Sequence, residues 1–176
     1  MKKLSMEELE RLTITQFKES DKIPVTIVLD NIRSQHNIGS IFRTADAFRI
    51  ECIHLCGITA TPPNREIQKT ALGATESVEW SYFSSTMGSI NELKRKGYVI
   101  IAVEQADESI DITEVEVVKD KKIALVFGNE VHGVNEEVMN FCDMCIEIPQ
   151  FGTKHSLNVS VSAGIIIWEI FKKVYR

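Results

Sequence analysis

The chain has 176 residues, 44% hydrophobic and 26% charged, the size and composition of one globular domain with a substantial core rather than a disordered or membrane-embedded polymer. A formal net charge of −5 argues against a nucleic-acid binder held by overall charge alone. Basic residues nevertheless gather in polar loops, whereas the acidic excess lies in the N-terminal segment and at 104–116.

Residues 5–18 have the pattern of an amphipathic helix, with Ser5 as N-cap and Glu8 completing a capping box. We read residues 1–20 as a peripheral helical arm and 21–176 as the single folded domain. Short β-branched runs follow at 25–30, 51–56, 77–83, 98–104, 122–127 and 144–148, alternating with helical patterns at 37–48, 64–71, 86–96, 134–141 and 156–173. Such alternation predicts an α/β fold, a parallel sheet with helices on both faces. The last helix is apolar around most of its circumference, so it is expected to be buried on most sides. Its small residues Ser160, Ser162, Ala163 and Gly164 would let another backbone come close, either within the subunit or from a second one, and a homodimer interface is the economical reading.

No apolar run has the length of a membrane span: 157–171 is too short and too rich in serine. The opening MKKLSMEELERL is charged rather than signal-like, giving the expectation of a cytoplasmic protein without a membrane partner. Four cysteines then read as reduced thiols. Cys142 and Cys145 have C-x-x-C spacing, and Cys52, His54 and Cys56 alternate along one strand. Both sets lie in apolar strand-like segments without glycine-rich knuckles, so buried thiols are the better reading and no metal is expected.

In open α/β sheets ligands bind beyond the carboxyl ends of the strands, and three loops there are rich in polar residues. The first, 30–48, starts a helix whose apolar stripe is Ile38, Ile41, Ala45 and Phe48, with Arg43 on the opposite side, either solvated or aimed outside its own core. In the second, 128–134, Glu130 lies between two glycines and either caps the helix starting near Asn135 or serves the site. The third, 151–158, carries Ser156 and Asn158, which suit helix capping as well as ligand contact. A G-x-G-x-x-G fingerprint after the first strand and a G-K-[ST] loop are both absent, which disfavours dinucleotide and P-loop sites.

Together, N-x-G-x-x-x-R-T-A (37–45), F-G-N-E-x-x-G (127–133) and I-P…S-L-N-V-S-V-S-A-G (148–164) resemble the three motifs of the TrmH-like (SpoU) RNA 2′-O-ribose methyltransferases of the SPOUT class, over residues 24–173. The resemblance implies a C-terminal trefoil knot, S-adenosylmethionine as cofactor, and a homodimer with active sites at its interface. It implies Asn37, Arg43, Glu130, Ser156 and Asn158 as the catalytic set, and Val103, Gly128, Ile148, Ser156 and Leu157 as cofactor contacts. Arg33, His36, Arg43, Lys154 and His155 are the expected RNA contacts. The third motif is most like members acting on guanosine in transfer RNA; ribosomal RNA, or a knotted module that binds without turnover, are the alternatives.

Overall fold

A computed structural model describes residues 1–5, 7–116 and 121–174. Its centre is one seven-stranded, wholly parallel sheet. The strands are β1 (Ile23–Asp30), β2 (Ile50–Cys56), β3 (Glu79–Phe83), β4 (Val99–Val103), β5 (Ile110–Asp111), β6 (Ile123–Phe127) and β7 (Met144–Glu147), in the order β3-β2-β1-β6-β4-β7-β5. Successive residues of the central strands serve opposite faces, so Ile27 and Leu29 join one apolar cluster while Val28 joins the other. Burial on both faces explains the nearly unbroken hydrophobic runs of β1 and β6.

The helices are α1 (Ile14–Glu19), α2 (Gln35–Ala47), α3 (Arg65–Ala71), α4 (Ala74–Ser77), α5 (Thr86–Arg95), α6 (Glu136–Phe141) and α7 (Val159–Val174). The larger cluster, under α2, α3 and α7, includes Phe42, Ile67, Ile166 and Ile170; the smaller, under α5 and α6, includes Ile90, Leu93 and Val138. Register sets Leu29 beside Phe127, Val103 beside Phe127, and Val103 beside Ile146. The carboxyl ends of β1, β6, β4 and β7 therefore lie nearly level, and their loops meet.

The fold matches the predicted alternation, with local corrections. Ser5 and Glu8 do bond reciprocally, at 2.7 and 3.2 Å, but they enclose a turn and not a helix running from 5 to 18. Glu10 has a left-handed φ of 45°, and a second capping box, Thr13 with Gln16, starts α1 afresh. Nor is the arm wholly peripheral: Phe17 is buried in the larger cluster. The predicted strand at 77–83 begins only at Glu79, because Ser77 closes α4, its hydroxyl bonding the Asp46 carboxylate and the Ala74 carbonyl. Neither α4 nor the two-residue β5 was anticipated.

The last helix also differs. It buries a single stripe, Ala163, Ile166, Ile167 and Ile170, while Val161, Ile165 and Trp168 remain 50%, 39% and 47% exposed. Trp168 is nevertheless partly covered: Phe48 of the α2 C-cap lies 5.7 Å from Trp168 and 5.1 Å from Phe171. A Cβ at Gly164 would meet nothing within 4 Å.

The cysteines are free thiols, and burial raises Cys52 and Cys56 to about 12. His54 is held by the Ser89 hydroxyl at 2.7 Å. Among the described residues no helix is long and apolar enough to cross a membrane, and no group of His, Cys, Asp and Glu could hold a metal ion.

Candidate active site

A cavity of about 690 Å³ opens beyond the carboxyl ends of β4, β6 and β7. Val103, Gly128, Ile148, Ser156 and Leu157 all line it, together with Glu130 and Asn158. Its volume suits a ligand of nucleoside size.

Local chemistry explains the 128–134 loop. Asn129 and Gly133 exchange main-chain hydrogen bonds of 2.9 and 2.8 Å, folding the loop back onto β6. A Cβ on Gly128 would lie 2.0 Å from the Gly133 carbonyl carbon and the Val134 nitrogen, so backbone approach demands glycine there. The Asn129 side chain accepts from the Val131 and His132 amides and donates to the Asn31 carbonyl at 2.7 Å, fixing the loop against the end of β1.

That geometry sends Glu130 toward α2. Its carboxylate accepts from the Arg33 amide at 3.0 Å, the Ser34 amide at 2.9 Å and the Asn37 side-chain amide at 3.2 Å. Glu130 thus braces the entry to α2, whose N-cap is Ser34 with its hydroxyl accepting from the Asn37 amide, and it does not cap the helix beginning after Asn135; that helix is capped by Asn135 itself, which accepts from the Glu137 amide. Burial alone would raise the Glu130 pKa, but the Arg33 and Ser34 amides outweigh it and leave the carboxyl below its usual value. Asn37 Oδ1 accepts from Asn158 Nδ2 at 3.1 Å, and Asn158 Oδ1 accepts from the Ser160 amide and hydroxyl at 2.9 and 2.7 Å. All three polar loops are joined through Glu130, Asn37 and Asn158. Because Asn158 bonds the Ser160 amide, α7 starts at Val159 and not at 156.

Ser156 and His155 are exposed and line the cavity, whereas Lys154 is exposed but does not line it. Arg33 and His36 are exposed at the start of α2, where His36 Nε2 lies 3.1 Å from a Glu66 oxygen. Arg43 stands apart, exposed on α2. It lines a second cavity, of about 730 Å³, with Asp46, Arg49 and residues 9–14 of the N-terminal segment, and one chain does not bring it to the first cavity. The sequence reading passed over Glu104, Gln105, Asn129 and Gln150, all of which line the first cavity. The available signal for Glu104 is a charged residue directly after the buried strand YVIIAV.

Residues 24–168 match the model of the SpoU rRNA Methylase family. A Staphylococcus aureus (strain MSSA476) protein assigned to the TrmH family of tRNA/rRNA methyltransferases is 32% identical over 160 residues, covering 91% of this chain and 63% of the relative. The chain therefore spans a little under two thirds of that relative's length. Among solved structures, the A. aeolicus TrmH/SpoU tRNA modifying enzyme superposes with a TM-score of 0.80 at 28% identity, over 91% of this chain and 81% of the other. An AdoMet-bound rRNA methyltransferase from Sinorhizobium meliloti gives 0.80 at 27%, over 89% and 59%. With the motif loops gathered around one strand-end cavity and most of its length matched, the chain belongs to the SpoU methylase family.

Proposed function

We propose that this protein is an S-adenosylmethionine-dependent RNA methyltransferase acting on a ribose 2′-hydroxyl, with guanosine in transfer RNA favoured over ribosomal RNA. The observation that carries this reading is the convergence of Val103, Gly128, Ile148, Ser156 and Leu157 on one nucleoside-sized cavity whose wall also carries Glu130 and Asn158. Apolar Val103, Ile148 and Leu157 suit the flat face of a base, and the loop main chain offers hydrogen-bonding groups for its edge. The bound cofactor would supply an electrophilic methyl group.

The chain's task is then to place and activate a weak nucleophile. Asn37, held between Glu130 and Asn158, orients the polar rim, and Ser156 faces the same space. An arginine is too weak an acid to serve readily as general base. Arg43 would instead clamp the adjacent phosphate, making the hydroxyl more acidic, and the phosphate or a transiently neutral arginine would take the proton released as the oxygen is methylated. In a homodimer the partner subunit's Arg43 would complete each site. Two features support that arrangement: Arg43 lies outside its own chain's cavity, and α7 leaves Val161, Ile165 and Trp168 partly exposed. We further infer the family's trefoil knot in the C-terminal part, consistent with the seating of β7 between β4 and β5, and a cytoplasmic location.

Two measurements test the reading. Calorimetry should detect S-adenosylhomocysteine binding and no comparable binding of NAD; binding of NAD alone would overturn the proposal. Total RNA from a strain lacking the protein, incubated with labelled S-adenosylmethionine, should gain label at a 2′-O-methylated nucleotide that mapping then identifies. Cofactor binding without labelling of any RNA would favour a binding module instead.

A further inference from the structure

Glu104 directly follows β4, and its main-chain N–H donates to the Ile146 carbonyl of β7 at 3.1 Å, fixing the residue between two strand ends. Its side chain is also immobilised. One oxygen accepts from the Gln105 amide at 3.0 Å and the other from the Val134 amide at 3.1 Å. Gly133 leaves room for it: a Cβ there would lie 2.2 Å from Oε2, and the residue's φ is +68°. The next side chain, Gln105, donates to the His155 carbonyl at 3.2 Å, so the 104–105 pair touches both other walls of the cavity.

This is more acceptor capacity than the chain uses. A carboxylate offers about four lone-pair positions, and the two amide donors occupy one on each oxygen. Glu130, another acid lining the same cavity, is already engaged by three donors at the start of α2. Glu104 therefore presents a fixed, partly unfilled carboxylate beside a nucleoside-sized space at the carboxyl end of a parallel strand. In dinucleotide-binding sheets an acid near a strand end takes a ribose hydroxyl, because a diol offers two donors where the carboxylate has acceptors to spare.

We propose that Glu104 is the ribose-recognition residue of this cavity, accepting hydrogen bonds from the 2′- and 3′-hydroxyls of the bound nucleoside. This rests on the reading of the cavity as the S-adenosylmethionine site. The assigned residue thereby does two things at once, tying the 128–134 loop to β4 and selecting a ribonucleoside over a deoxyribonucleoside.

The test is calorimetry without RNA, comparing S-adenosylhomocysteine with its 2′-deoxy and 3′-deoxy adenosyl analogues. Losing a hydrogen bond to a charged acceptor should weaken wild-type binding of at least one analogue by roughly tenfold to a hundredfold. In Glu104→Gln the preference for the full ribose should collapse to within about twofold. A purely structural role would weaken all three ligands in proportion and leave their ratio unchanged, so the ratio is the decisive readout. Glu104→Asp serves as a second variant, shortening the carboxylate without removing it; partial loss of the preference is expected. Wild-type binding of S-adenosylhomocysteine with no discrimination between it and either analogue overturns the ribose assignment while leaving the cofactor site standing. Full discrimination retained in Glu104→Gln overturns it too. Failure of wild type to bind S-adenosylhomocysteine at all would instead remove the cofactor reading, and this proposal with it.

Discussion

Glu130 shows how much a single residue in this site does through hydrogen bonding. It joins the loop after β6 to the Arg33 and Ser34 amides at the entry to α2, where the nearby positive end of the helix favours a carboxylate. Glu130→Gln should cost about 1 kcal/mol at neutral pH, a modest figure because the side chain is exposed and solvent screens the interaction. The pH dependence has a definite sign. A carboxyl whose folded pKa lies below its ordinary value contributes fully above that value, near 4.5, and loses the contribution as pH falls through the folded pKa. Urea titrations should therefore show wild type and Glu130→Gln converging below about pH 4.5; a gap that stays constant into acid would contradict the charge-assisted contact.

At the scale of elements, two contacts decide whether the helices can seat on the sheet. The motif glycine Gly39 is there for packing between α2 and α3: a Cβ would lie 2.1 Å from Thr70 Oγ1 and 2.2 Å from the Ile67 carbonyl oxygen. Gly39→Ala must push the helices apart, at a cost of about 1–3 kcal/mol, which at about 2–4 °C per kcal/mol for a domain of this size lowers Tm by roughly 2–12 °C. Gly152→Ala, where the added carbon meets nothing within 4 Å, should leave Tm unchanged in the same calorimetric scan.

The second contact is that of His54 on β2 with Ser89 on α5. Burial lowers the His54 pKa to about 4, so the native state resists a proton that the unfolded chain accepts near 6.5. Stability from this group is complete above about pH 6.5 and declines toward pH 4, by about 3 kcal/mol in all. Denaturation of His54→Gln across that range should give a flatter pH profile than wild type; parallel profiles would mean that other groups govern acid sensitivity.

For the whole molecule, the unanswered contacts are those of α7. Trp168→Glu alters a residue that is 47% exposed in the single chain but packed against the Phe48 and Phe171 rings, so an isolated subunit should lose about 1–3 kcal/mol and still fold. In a homodimer the same change would bury a charge against the partner. Light scattering should find wild type as a dimer and Trp168→Glu as a folded monomer, whereas a monomeric wild type at micromolar concentration would end the shared-site reading. Complementation tests the site directly. Arg43→Ala and Asn158→Ala homodimers should each be nearly inactive, but exchange of subunits creates one intact site per heterodimer and should restore about half of wild-type activity. If mass spectrometry confirms exchange and no activity returns, Arg43 and Asn158 serve the same subunit.

Much of this was legible from the sequence, because the relevant physics is local or periodic. Buried strands separated by helical patterns announced a parallel sheet, and the main strands and helices lie close to their expected places. The motif residues of the strand-end loops were also readable, and those expected around the cofactor do line one cavity. What depended on neighbours distant in the chain was not readable. Glu130 was open to two readings, a cap for the helix near Asn135 or a site residue, and only the folding of the 128–134 loop determined that it binds the entry to α2, 93 residues from its Asn37 partner. The 5–18 pattern promised a helix, yet the left-handed turn at Glu10 and the new capping box of Thr13 with Gln16 left only the six residues of α1. Glu104 read as surface charge until Gly133 and Val134 were folded against it. Hydrophobic period and capping chemistry are properties of a segment and survive in the bare sequence; the partner of a polar side chain, and the side of an apolar helix left uncovered, are properties of the assembled surface and exist only once the chain has closed on itself.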